Sequence, residues 1–130
     1  MSKYVLDSHA VLAFLQLESG WERVKDLMRA ASDGEVELYM SAINLAEVKY
    51  IAIRRKGHTL QTMAAIEALP ITIMSADEYI EQVVVLKARY AVSLADCFAA
   101  ALAIDMDCAL VTGDPEFKKL EGSLRVEWLR

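Results

Sequence analysis

The sequence predicts an α/β fold built on a central, mainly parallel sheet. Five short apolar runs alternate with longer stretches of helical character, which is the pattern of strand–helix–strand units. Within most of the runs the apolar residues stand on consecutive positions, as parallel strands covered on both faces require. Only five Gly and two Pro occur in 130 residues, against a usual share near 12%. Turns are therefore few and elements long, which favours a helix-rich architecture.

The elements follow in order. The first strand candidate is 4–6, followed by helical stretches 9–17 and 20–32. A second strand candidate, 36–40, precedes helical stretches 42–56 and 59–69. The third, 71–74, precedes 76–91 and 94–106; the fourth is 108–112, and 124–129 closes the chain. Ser41, Ser75 and Ser93 stand where N-caps belong. Gly34 and Gly57 stand where helices end, with Arg54, Arg55 and Lys56 placed to complement the helix dipole before Gly57. No repeat, linker or low-complexity tract interrupts the chain, and its length suits one domain spanning 1–130.

Apolar residues make up 55% of the chain and charged residues 25%. This excludes intrinsic disorder and supplies a full core without disulfides or structural metal. The formal net charge is −5, so the chain as a whole gives no electrostatic help in binding nucleic acid. A polyanionic partner then needs a local basic patch or a bound cation. Cys97 and Cys108 lie in apolar stretches without metal or redox spacing, and read as buried, reduced thiols of a cytoplasmic protein. The longest apolar run, 97–104, has eight residues, far below the ~18–20 that span a bilayer. Asp7 interrupts the first apolar run before it reads as a signal peptide.

Four acids stand out. Asp7 ends the first strand and Asp114 follows the fourth, in Thr112-Gly113-Asp114-Pro115. Open parallel sheets bind their ligands beyond the carboxyl ends of the strands, although Asp7 or Ser8 also suits a helix cap and Gly-Asp-Pro suits a turn. Asp96 is the only charge in 94–104, an otherwise apolar and therefore buried helix. Ser93-x-x-Asp96 reads as a capping box, which also aims the carboxylate at the strand ends. Glu47 lies one turn from Ile43 and Ile51, on a strip shared with Asn44 and Arg54 that reads equally as an exposed polar edge. If the four converge, two carboxylates ~5 Å apart repel by about 3 kcal/mol at an effective dielectric near 20. Such a cluster takes up protons or binds a cation. Oxygen ligands without His or Cys suit Mg²⁺ or Mn²⁺, which points to phosphodiester or phosphoryl chemistry.

In order and spacing, Val5-Leu6-Asp7-Ser8, Asn44-Leu45-Ala46-Glu47-Val48, Ser93 to Ala103, and Thr112 to Phe117 resemble the motifs of the PIN domain, in particular of VapC-type toxins. The resemblance covers essentially the whole chain. It implies a three-layer fold with strand order 3-2-1-4-5 and an Mg²⁺- or Mn²⁺-dependent endoribonuclease acting on RNA. It also implies a homodimer inhibited by a cognate antitoxin. Asp7, Glu47, Asp96 and Asp114 take the family's acidic, metal-binding positions, and Thr112 its small hydroxyl position.

Other residues read more simply. His9 reads as a helix-surface residue beside the site, Asp105 and Asp107 as the solvated end of the apolar helix, and Glu116 as an acid close to Asp114 for which contact with a metal through water is the minor reading. Trp21, Tyr39, Tyr50 and the methionines read as packing groups. A haloacid-dehalogenase phosphatase wants Asp where His9 stands, and a receiver domain wants a Lys after the last strand. The remaining rivals are a non-catalytic PIN-like RNA-binding or assembly subunit and a stand-alone RNA-processing nuclease without an antitoxin.

Overall fold

The computed structural model describes residues 1–130. The chain order is β1 (Ser2–Leu6), α1 (Ser8–Gln16), α2 (Trp21–Ser32), β2 (Val36–Ser41), α3 (Ala42–Lys56), α4 (Leu60–Glu67), β3 (Thr72–Met74), α5 (Ile80–Arg89), α6 (Leu94–Asp105), β4 (Ala109–Thr112) and β5 (Val126–Trp128). The five strands form one sheet in the order β3-β2-β1-β4-β5, and every pairing is parallel. The order reverses between β1 and β4, so the crevice at their carboxyl ends is the switch point where such sheets bind ligands.

Neighbouring residues of the central strands feed opposite layers. Val5 and Leu110 belong to the core under α5 and α6. Leu6 and Val111 belong to the core under α1, α2, α3 and α4. This double coverage is why the strand sequences are apolar without alternation. It fades at the edge, where Thr72 and Ile73 of β3 are exposed, so the expectation of strands covered on both faces holds for the centre of the sheet only.

Caps fix most helix starts. Ser41 accepts from the Ile43 N–H at 3.2 Å, and Ser93 from the Asp96 N–H at 3.2 Å. Gly57 ends α3 at φ 83°, a left-handed value that glycine adopts without steric cost. Ser75 differs from expectation: its hydroxyl accepts from the Asp77 N–H, and a short 3₁₀ turn over Asp77–Tyr79 precedes α5. Two side chains also depart from their expected surroundings. Tyr50 is 44% exposed and lies under the Arg54 guanidinium at 5.1 Å. Asn44 is fully buried, because Asn44, Val48 and Ala52 form the buried stripe of α3 at every fourth position. Its strip is no exposed edge. No helix is long and apolar enough to cross a membrane.

Candidate active site

β1 and β4 run side by side, so the residues that leave their carboxyl ends meet. Asp7 caps α1, with Oδ1 accepting from the Ala10 N–H at 2.8 Å, while Oδ2 accepts from the Thr112 hydroxyl. Thr112 is the fully buried last residue of β4. Its hydroxyl oxygen also accepts from the Asp114 N–H at 3.0 Å. Asp114 in turn starts the 3₁₀ turn Pro115–Leu120 by accepting from the Glu116 N–H at 3.0 Å. Thr112 thus ties two of the acids together.

Asp96 enters from the opposite layer, in the first turn of α6 and 6% exposed. Burial is the largest influence on its carboxyl, and the charge of Asp114 adds to it. The bond in Ser93's cap opposes them, Glu47 and Glu116 push further upward, and the pKa is raised to about 6. Asp7 is raised to about 7, chiefly by burial; its bonds with Thr112 and Ala10 pull downward, while Asp96 and Asp114 push upward. Asp7, Asp96 and Asp114 are therefore electrostatic neighbours at one edge of the sheet.

Glu47 joins through hydrogen bonds. Its Oε1 accepts from the Ser8 hydroxyl at 2.7 Å and from Asn44 Nδ2 at 3.5 Å. Asn44 Nδ2 also donates to the Ala95 carbonyl at 3.2 Å, which fastens α3 to the first turn of α6 beside Asp96. Asn44 Oδ1 is buried without a hydrogen-bond partner. Ser8 and Asn44 are contributors that the sequence reading passed over. The signal for Asn44 was its four-residue spacing from Val48 and Ala52; that for Ser8 was its place beside Asp7.

Residues outside the cluster are otherwise engaged. Glu116 is exposed and pairs with Lys119 at 3.0 Å. Asp105 accepts from the Tyr79 hydroxyl at 3.0 Å, more than a solvated end requires. Arg55 donates to Gln16 Oε1. Arg54 to Lys56 stand seven to nine residues beyond Glu47 on α3, roughly 10–14 Å along the axis. A concavity of about 400 Å³, lined by Asp107, Cys108, Glu121 and Arg125 among others, lies at the opposite edge of the sheet, where β4 and β5 begin.

The donor set fits a hard divalent cation: oxygens only, two carboxyls held toward neutrality by burial and further by neighbouring carboxylates, and a buried, partnerless amide oxygen on Asn44, whose nitrogen bonds Glu47. As the side chains stand, no three His, Cys, Asp or Glu residues are drawn into a finished cage. Glu47 is instead turned to Ser8 and Asn44.

The family model of the PIN domain matches residues 4–123. No curated protein matches the chain. Among solved structures, the chain is similar to one in DNA-bound VapBC2 of Rickettsia felis, at 22% identity and TM-score 0.71, over 98% of this chain and 99% of that one. It is similar at 20% identity and TM-score 0.72 to one in DNA-bound VapBC of Salmonella typhimurium, over 98% of each. VapC20 of Mycobacterium tuberculosis, a sarcin-ricin loop cleaving toxin, matches at 18% and 0.68, over 95% of this chain and 98% of that one. At these identities the likeness is one of fold.

Proposed function

The chain belongs to the PIN domain family, and from that premise we propose that it is a divalent-metal-dependent endoribonuclease, the toxin of a toxin–antitoxin pair. The observation that carries the reading is the pair Asp7 and Asp96, two carboxyls from opposite layers raised to about 7 and about 6 at one sheet edge. Carboxyls so poised favour a bound cation, which repays burial by restoring their charge. Asp7, Asp96 and Asp114 hold Mg²⁺ or Mn²⁺ in this reading, and Glu47 completes the set when it leaves Ser8. Such an ion supplies Lewis acidity toward a phosphodiester and the attacking water.

The chain's own groups do the positioning. Thr112 orients Asp7 and, through the Asp114 N–H, the loop that follows β4. Ser93 fixes the first turn of α6 and with it Asp96. Ser8 and Asn44 keep Glu47 within reach. Likeness in fold to chains of VapBC complexes supports a cognate antitoxin as partner. One PIN domain over 1–130, a homodimer and a cytoplasmic setting complete the proposal.

Cleavage of total RNA by the purified protein tests it. Fragments should form with Mg²⁺ or Mn²⁺, vanish with EDTA, and be absent for Asp7→Asn and Asp96→Asn. Asn keeps the hydrogen-bonding shape of Asp and loses the charge, so both variants should remain folded by circular dichroism. Equal cleavage by wild type and Asp7→Asn would refute the nuclease assignment.

A further inference from the structure

His9 has no part in the site just proposed, yet the structure ties it to the loop that carries Asp114. His9 stands two residues after Asp7, in the first turn of α1, and is exposed. Its Nδ1 accepts from the Gly113 N–H at 3.3 Å, across 104 residues of sequence. The contact is also steric: a Cβ placed on Gly113 would lie 2.5 Å from His9 Cε1 and 3.1 Å from Nδ1. Gly113 is outside the left-handed region that Gly20, Gly34 and Gly57 occupy. Backbone conformation therefore does not demand glycine at 113; the approach of the imidazole does.

The junction of β1 and α1 thus grips the end of β4 at two successive points. Asp7 takes the Thr112 hydroxyl, and His9 takes the Gly113 N–H. Between Thr112, fixed in the sheet, and Asp114, which opens the next turn, Gly113 has no side chain of its own to anchor it. We infer that His9 is a positioning residue: it braces Gly113 and thereby sets where Asp114 meets Asp7 and Asp96. The inference rests on the nuclease reading of that site, and the brace itself can be observed without any cleavage.

The test is a set of variants read three ways: exchange of the Gly113 amide by NMR, affinity for Mn²⁺, and kcat and KM for RNA. His9→Ala removes both ring and acceptor. His9→Phe keeps a ring without the acceptor, and His9→Asn places an oxygen where Nδ1 stood. Gly113→Ala displaces the imidazole. His9→Ala, His9→Phe and Gly113→Ala should each speed Gly113 exchange. Each should also lower Mn²⁺ affinity and kcat by about tenfold, the usual cost of a lost second-rank partner, with KM and the melting temperature little changed. His9→Asn should recover most of the loss. The double variant His9→Ala/Gly113→Ala should be no worse than either single one, because each removes the same contact. Additive losses, or His9→Phe matching wild type, would overturn the inference. If wild type itself neither binds Mn²⁺ nor cuts RNA, the nuclease reading falls. Gly113 exchange then still decides whether His9 holds the loop: faster exchange in His9→Ala but not in His9→Asn supports the brace, and unchanged exchange refutes it.

Discussion

A buried carboxyl that titrates near neutrality sets burial against charge, and Asp7 shows the conflict most strongly. Its folded pKa, about 7, lies above the ordinary 3.8. Protonation is therefore favoured by folding, and the stability this confers is complete below pH 3.8. It is lost as pH rises through 7, by roughly 4 kcal/mol at most. Asp96, raised to about 6, acts in the same direction. The metal-free protein should accordingly lose stability between pH 5 and pH 8. Asp7→Asn, which still accepts from Ala10 and carries no charge, should be more stable than wild type at pH 8, by roughly 2–4 kcal/mol. Its advantage should shrink toward pH 5. Urea denaturation in EDTA at the two pH values measures this, and an advantage independent of pH would refute the assignment to Asp7. Adding Mn²⁺ at pH 8 should stabilise wild type more than the variant, since binding to the folded state alone adds stability by mass action.

At the scale of elements, the contact between α3 and α6 decides whether Glu47 and Asp96 face one another. Asn44 makes that contact through a single amide nitrogen shared by Ala95 and Glu47. Asn44→Ala removes the bond to the part-buried Ala95 carbonyl and leaves a gap at a fully buried position, and should cost about 1–3 kcal/mol. Asn44→Asp sets an acceptor against two acceptors and should cost more. Denaturation midpoints rank the two, and an Asp variant as stable as wild type would show that Asn44 is no fastening. Much of this level was legible beforehand. Val5, Leu6, Leu110 and Val111 announce strands buried on both faces, and Asp96 announces itself as the one charge before Asp105 on an apolar helix. The spacing of Asn44 from Val48 and Ala52 marked the stripe, but its bond to the Ala95 carbonyl was not legible, because it joins residues 51 apart on two different helices. The tie between His9 and Gly113 was hidden for another reason: sequence separation conceals a contact that only the pairing of β1 with β4 creates.

The whole molecule places its acids and its basic run apart. The acids gather where β1 and β4 end, while Arg54 to Lys56 sit at the far end of α3, in a chain of net charge −5. Without a divalent ion, RNA should be repelled from the cleft, and a cationic side chain of an antitoxin should be attracted to it by paired, charge-assisted hydrogen bonds. RNA affinity should therefore rise at least about tenfold when Mg²⁺ replaces EDTA at matched ionic strength, and antitoxin affinity should stay level or fall. Fluorescence titration of both partners would decide, and metal-independent RNA binding would shift the contact to Arg54-Arg55-Lys56. The sheet order carries one more consequence, which concerns time. β4 is the second-last strand to be made, yet it lies against β1, the first. Until residues 109–114 exist, Asp7 lacks Thr112 and the cleft lacks Asp114, however well the earlier helices have formed. On the nuclease reading, a nascent chain therefore holds no complete set of acids before residue 114 has been made. On that reading, competence to cut waits for β4 to pair with β1 and does not follow from the helices that carry Glu47 and Asp96 alone.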